Sequence, residues 1–129
     1  MHPALLARID KILPALALWG HPMLILEGVR TAERQAILYA QGRTAPGAIV
    51  TQCDGLKTKS HHQVHADGFG HAVDCVFLVD GQPSWNPALP WAVYGAMVIA
   101  EGLIWGGSWH HGLIDLPHAE WPDATGVPV

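Results

Sequence analysis

His71-Ala72-Val73-Asp74-Cys75-Val76-Phe77-Leu78-Val79-Asp80-Gly81 is the stretch on which the fold turns. Its β-branched and aromatic residues favour a strand, and Asp80-Gly81 is a turn dipeptide that predicts a hairpin-like reversal. Upstream, His21 to Gly28 reads as a short buried strand, an apolar run bounded by Pro22 and Gly28. Thr31 then serves as N-cap for a helix over Ala32 to Gln41, with Glu33 in its first turn and Gly42 just past its end. Its expected packing face is Ala32, Ala36 and Tyr39, with Ile37 alongside. Residues 43–70 are loop-like, and a loop of that length is more often functional than idle.

Further out, the first residues form an amphipathic helix with Leu5, Leu6, Ile9, Ile12 and Leu13 on one face, which Pro14 is expected to end or kink. On the other side, Pro87 and Pro90 precede a helix over about Trp91 to Gly102, apolar nearly all round. Leu103-Ile104-Trp105 leads into Gly106-Gly107, and Leu116 to Trp121 can form a last strand before a Pro/Gly tail. Helices and strands without strict βαβ alternation predict an α+β domain, a small antiparallel sheet flanked by helices. A single domain spans 1–129, with its core over about 20–121 and a tail at 122–129.

Composition excludes several functions. With 50% hydrophobic and 14% charged residues, the 129-residue chain can bury enough apolar surface to fold alone. A net charge of −4 gives no basic footprint for nucleic acid. The greasiest stretch, Trp91 to Trp105, is short and interrupted by Glu101, so no membrane span is expected. Arg8, Asp10 and Lys11 fall where the apolar core of a signal peptide would lie, so synthesis in the cytoplasm without a leader is expected. Cys53 and Cys75 read as packing residues of a protein made in a reducing compartment.

The unusual count is nine histidines, of which His61, His62, His65, His71, His110, His111 and His118 crowd one region. Clustered histidine raises the prior for a metal site. Asp74 lies among Val73, Val76 and Phe77, where an unpaired carboxylate is costly. Its partner is either a metal ion or backbone N–H groups and an arginine, and the residues alone leave both open. In Asp115-Leu116-Pro117-His118 the carboxylate and the imidazole are held in fixed relation by the stiff Pro117. Such placement suits a hydrolytic zinc site, in which a nearby carboxylate takes the proton of an activated water.

Together, Glu27-Gly28-Val29-Arg30-Thr31, Glu33-Arg34-Gln35, Leu38 to Thr44, Ser60-His61-His62, Gly70 to Asp74, Trp105-Gly106-Gly107 and Asp115 to His118 resemble the M15 family of zinc peptidases. The resemblance runs over about residues 24 to 120. It implies a Hedgehog/DD-peptidase-like fold and a zinc ion held by His62, Asp74 and His118. It also implies Asp115 as general base and Arg30 as a catalytic cleft residue. Arg30 would either steady an oxyanion or grip a substrate carboxylate; an ion pair with Glu27 or Glu33 is the competing use.

Two departures stand out. Relative to the family pattern, about five residues around His65 to Phe69 are inserted and must loop out. His62 keeps the Ser-x-His context while His65 is nearer Asp74 in sequence, so the first ligand is His62 or His65. Ser108 follows Trp-Gly-Gly where endolysins often carry Asp. His61, His65 and His71 are expected at the surface, the alternative being that they line the cleft behind the ligands or touch substrate; His2 is expected at the surface and His21 in a turn. His110 and His111 are minor candidates for touching substrate, while Gln35 and Ser60 would shape the pocket. Trp105, Trp109 and Trp121 are expected in the core and cleft wall.

The resemblance implies hydrolysis of an amide in the peptidoglycan stem peptide, foremost L-alanyl-D-glutamate, by a monomer released to the wall through a holin-type pore. A D-alanyl-D-alanine carboxypeptidase or dipeptidase would share every metal residue. A non-catalytic zinc-containing wall-binding module is the third reading, against which Asp115 argues.

Overall fold

In the computed structural model, which describes residues 1–110 and 113–122, Leu5, Ile9, Ile12 and Leu16 recur every three or four positions and are all buried. They form the inner stripe of helix α1 (Pro3–Leu18), whose first turn is capped by the His2 ring accepting from the Ala4 N–H. Of the two outcomes expected at Pro14, an end to the helix does not occur: α1 runs on past it. Pro14 and Asp10, whose carbonyl loses its helical donor, are both exposed, so water can replace the missing bond.

The sheet is antiparallel throughout. Strand β1 (Met23–Glu27) pairs with β2 (Ala72–Val79), and β2 turns at Asp80-Gly81 into the short β3 (Gln82–Ser84), as the turn dipeptide predicted. On its other edge β2 pairs with β5 (His118–Glu120), which in turn pairs with β4 (Ile104–Trp105). The order is therefore β1-β2-β5-β4, with β3 also on β2. One row of this sheet matters most: Asp74 lies opposite Glu27 on one side and His118 on the other. The expected last strand is shorter than predicted, because Leu116 and Pro117 belong to a turn closed by His118 N–H donating to the Asp115 carbonyl.

Helix α3 (Trp91–Ala100) packs on α1, and its Trp91 meets Phe77 of β2 edge-on at 4.8 Å. The core joins the α1 stripe to Val73, Cys75, Val76, Phe77, Tyr94 and Val98. Both cysteines are buried, and burial pushes their thiols up to about 11 and about 12, in keeping with packing rather than reactivity.

Helix α2 (Ala32–Ala40) departs from the sequence expectation. Its buried residue is Gln35, while Ala36 is exposed and Ile37 is 63% exposed. The helix faces a polar interior: Gln35 donates to Thr51 Oγ1 (3.1 Å) and the Cys53 carbonyl (2.8 Å) and accepts from Arg30 (2.8 Å). The inserted residues close into a small hairpin, with a bridge between Val64 and Gly70 and His65 N–H donating to the Phe69 carbonyl. No helix among the described residues is long and apolar enough to cross a membrane.

Candidate metal centre and cleft

The glycines and serine of the quoted motifs have local physical reasons. Ser60 Oγ accepts from the His62 N–H (3.1 Å), and the His62 carbonyl accepts from the Arg30 N–H (2.8 Å). The peptide around His62 is thus pinned on both sides. A side chain at Gly70 would meet the His62 carbonyl at 2.8 Å, and one at Gly106 would collide with the Asp115 carbonyl. Both positions let backbones that carry site residues approach more closely than any Cβ permits.

These constraints bring three distant side chains to one point. His62 Nε2 lies 3.2 Å from His118 Nδ1 and 3.4 Å from Asp74 Oδ2. His118 Nδ1 is 3.5 Å from Asp74 Oδ1, and one donor atom from each residue lies within 4.8 Å of the others. The outer ring nitrogens are engaged elsewhere: His62 Nδ1 at 3.0 Å from the Gly28 carbonyl, His118 Nε2 at 2.8 Å from Glu120 Oε1. If both outer nitrogens carry their protons, both inner nitrogens turn lone pairs toward Asp74. Two imidazole nitrogens and a carboxylate oxygen so arranged can hold a metal ion.

The electrostatics agree with a site that favours positive charge. Burial would raise Asp74, but the charges and hydrogen bonds of His62 and His118 outweigh it and hold the carboxyl well below the usual range. Burial would likewise lower His118, yet its bonds to Asp74 and Glu120 prevail and raise it to about 9. A metal ion would compete for the place such a proton takes. Asp115 behaves differently: burial and the neighbouring Asp74 charge push it up to about 6. Its Oδ2 is 3.9 Å from His118 Nδ1, close enough to serve a water shared with the cluster.

Arg30 is buried beside this group. It donates to Glu27 Oε1 (2.9 Å) and Gln35 Oε1 (2.8 Å), and its Nη2 is 3.5 Å from Asp74 Oδ2. Of the pairings weighed from sequence, the one with Glu27 is present, and Asp74 is a further partner. A cleft of about 430 Å³ opens over the group; Arg30, His62, Asp74 and Asp115 line it together with apolar side chains such as Leu26 and Trp85. Trp109 tilts against the His118 ring at 5.0 Å.

Several of the other histidines depart from the surface positions expected of them. His61 and His71 are buried rather than at the surface: His61 Nδ1 is 3.1 Å from Glu120 Oε2, and His71 Nε2 is 2.6 Å from Asp67 Oδ2. His65 stands apart from the three-residue group, stacked on the His71 ring at 3.9 Å, with Nδ1 at 2.9 Å from the Gln63 carbonyl. His2 is no idle surface residue either, since its ring caps α1 and stacks on Trp121 at 5.1 Å. His21 does sit in the turn after α1, and His110 is exposed. His111 lies outside the described residues.

Glu120 is the residue that sequence reasoning passed over. The signal was available: in a strand, positions two apart share a face, so Glu120 had to lie beside His118.

No known family profile matches the chain. It is 32% identical to the peptidoglycan L-alanyl-D-glutamate endopeptidase CwlK of Bacillus subtilis (strain 168), in an alignment over 129 residues covering 93% of this chain and 72% of that one. Among solved structures it is similar to the L-Ala D-Glu endopeptidase ChiX of Serratia marcescens, with a TM-score of 0.54 and 26% identity. That match covers 95% of this chain and 80% of the other.

Proposed function

The chain belongs to the M15 family of peptidases, and from that premise we propose that it is a zinc-dependent endopeptidase cutting the L-alanyl-D-glutamate bond of peptidoglycan stem peptides. The observation that carries this reading is the convergence of His62, Asp74 and His118 on one point, with Asp115 beside them at the cleft. Two imidazoles and one carboxylate leave a coordination position open, the arrangement of a hydrolytic rather than a structural zinc site. A zinc ion bound there would acidify a water molecule and polarise the scissile carbonyl.

The rest of the chemistry falls to the chain's own groups. Asp115 accepts a proton from the attacking water as its oxygen bonds to the carbonyl carbon. It returns that proton to the amide nitrogen as the C–N bond breaks. A carboxylate held above its ordinary pKa by burial is a better match to this two-way traffic than a fully solvated one. Arg30, lining the same cleft, is the candidate to steady negative charge building on the amide oxygen. The bonds to Glu27 and Gln35 fix its guanidinium in advance, so little reorganisation is needed when that charge develops.

The deciding experiment incubates the protein with purified peptidoglycan, with and without chelator, and identifies products by mass spectrometry. New termini between L-alanine and D-glutamate, lost on chelation and restored by zinc, are the expected result. Release of D-alanine instead would replace the proposed bond with the D-alanyl-D-alanine one, and activity indifferent to chelation would remove the metal from the mechanism.

A further inference from the structure

Behind the three-residue group lies a buried carboxylate that the hydrolytic chemistry does not use. Glu120 sits on β5 between β2 and β4, paired across the ladders with Ala72 and Ile104, and is almost wholly buried. Burying a carboxylate is costly unless both oxygens are engaged. Here each has its own imidazole: Oε1 lies 2.8 Å from His118 Nε2 and Oε2 lies 3.1 Å from His61 Nδ1. His61 is tied down in turn, its carbonyl accepting from the His71 N–H at 2.7 Å.

We propose that Glu120, clamped from behind by His61, is the positioning residue that fixes the His118 ring with Nδ1 toward Asp74 and His62, thereby setting the affinity of the site for its metal. The inference rests on the metal reading given above. A carboxylate accepting from the outer nitrogen of a ligating imidazole fixes the ring's tautomer and orientation and makes the inner nitrogen a stronger donor. Without it, His118 can turn about its side-chain torsions or place its proton on Nδ1, and either change removes a lone pair from the site. Glu120 suits this work because it stands on a strand hydrogen-bonded on both sides, the kind of rigid support that holds a site to fractions of an ångström. His61 approaches the Glu120 oxygen that does not meet His118, its Nδ1 3.1 Å away, and can act on the His118 ring through that carboxylate. The influence exerted by that route is lost when Glu120 is gone.

The test measures zinc affinity by competition with a chromogenic chelator on the wild-type protein and on Glu120→Ala, Glu120→Gln, His61→Ala and the Glu120→Ala/His61→Ala double variant, with folding checked by circular dichroism. Glu120→Ala should weaken zinc binding roughly 10- to 100-fold. Glu120→Gln, which keeps an acceptor oxygen but not the charge, should fall between it and wild type, and serves if the alanine variant does not fold. His61→Ala should weaken zinc less than Glu120→Ala, and the double variant should bind no worse than Glu120→Ala alone, since the two act in series. Melting temperatures of the metal-free proteins separate a purely structural role, which would lower them and leave zinc affinity alone. Wild-type affinity in a folded Glu120 variant overturns the proposal, and additive losses overturn the part assigned to His61. Should the wild-type protein itself take up no zinc, the metal reading falls and this one with it.

Discussion

Asp115 and His118 stand three positions apart, yet their expected roles separate cleanly in mutants. Asp115 lies 3.9 Å from the nearest His118 nitrogen and outside the three-residue group, so Asp115→Ala should keep its zinc, measured by elemental analysis, while turnover falls by roughly 10²- to 10⁴-fold. His118→Ala should lose both. A fully active Asp115→Ala would take the proton-handling role away from this carboxylate. His65 provides a control at the same scale. Its ring is stacked on His71 and does not belong to the three-residue group, so His65→Ala should bind zinc within about twofold of wild type. A large loss of zinc in that variant would make His65, not His62, the first ligand.

Among the elements, α2 shows most plainly what the sequence conceals. The strand at 72–79 and its turn could be read directly, because β-branched residues and Asp80-Gly81 act over a few neighbours. The inner stripe of α1 was legible for the same reason, though its passage through Pro14 was not, since whether water can reach a stranded carbonyl depends on which face is turned outward. In α2 the apolar pattern pointed to Ala36 and Ile37, whereas the buried position is Gln35, whose partners Thr51, Cys53 and Arg30 are supplied by other segments. The burial of these histidines escaped sequence reading likewise: His61 stands 3.1 Å from Glu120, which lies far along the chain. Of the site, Asp74 and the Asp115–His118 pair were suggested by local chemistry, while His62 and Arg30 entered through the family resemblance. Gln35→Ala should cost about 1–3 kcal/mol, since it strips partners from buried groups, and should free the segment around Thr51. Urea denaturation with limited proteolysis checks both, and a wild-type midpoint would deny α2 this anchoring role.

For the molecule as a whole, a ligand that binds only the native state adds to its stability in proportion to the logarithm of its concentration. Zinc at one hundred times its dissociation constant should therefore stabilise the protein by about 2.7 kcal/mol. Calorimetry with and without chelator reads this as a rise in melting temperature, and coincident melts would deny the link between metal and fold. The strand order carries a further consequence. β5, which brings His118, is made after every other strand yet inserts between β2 and β4, both synthesised before it. If His118 holds the metal as proposed, a nascent chain lacks a complete site until its closing strand has left the ribosome and docked. The topology thus delays the proposed site until the rest of the fold exists to receive it.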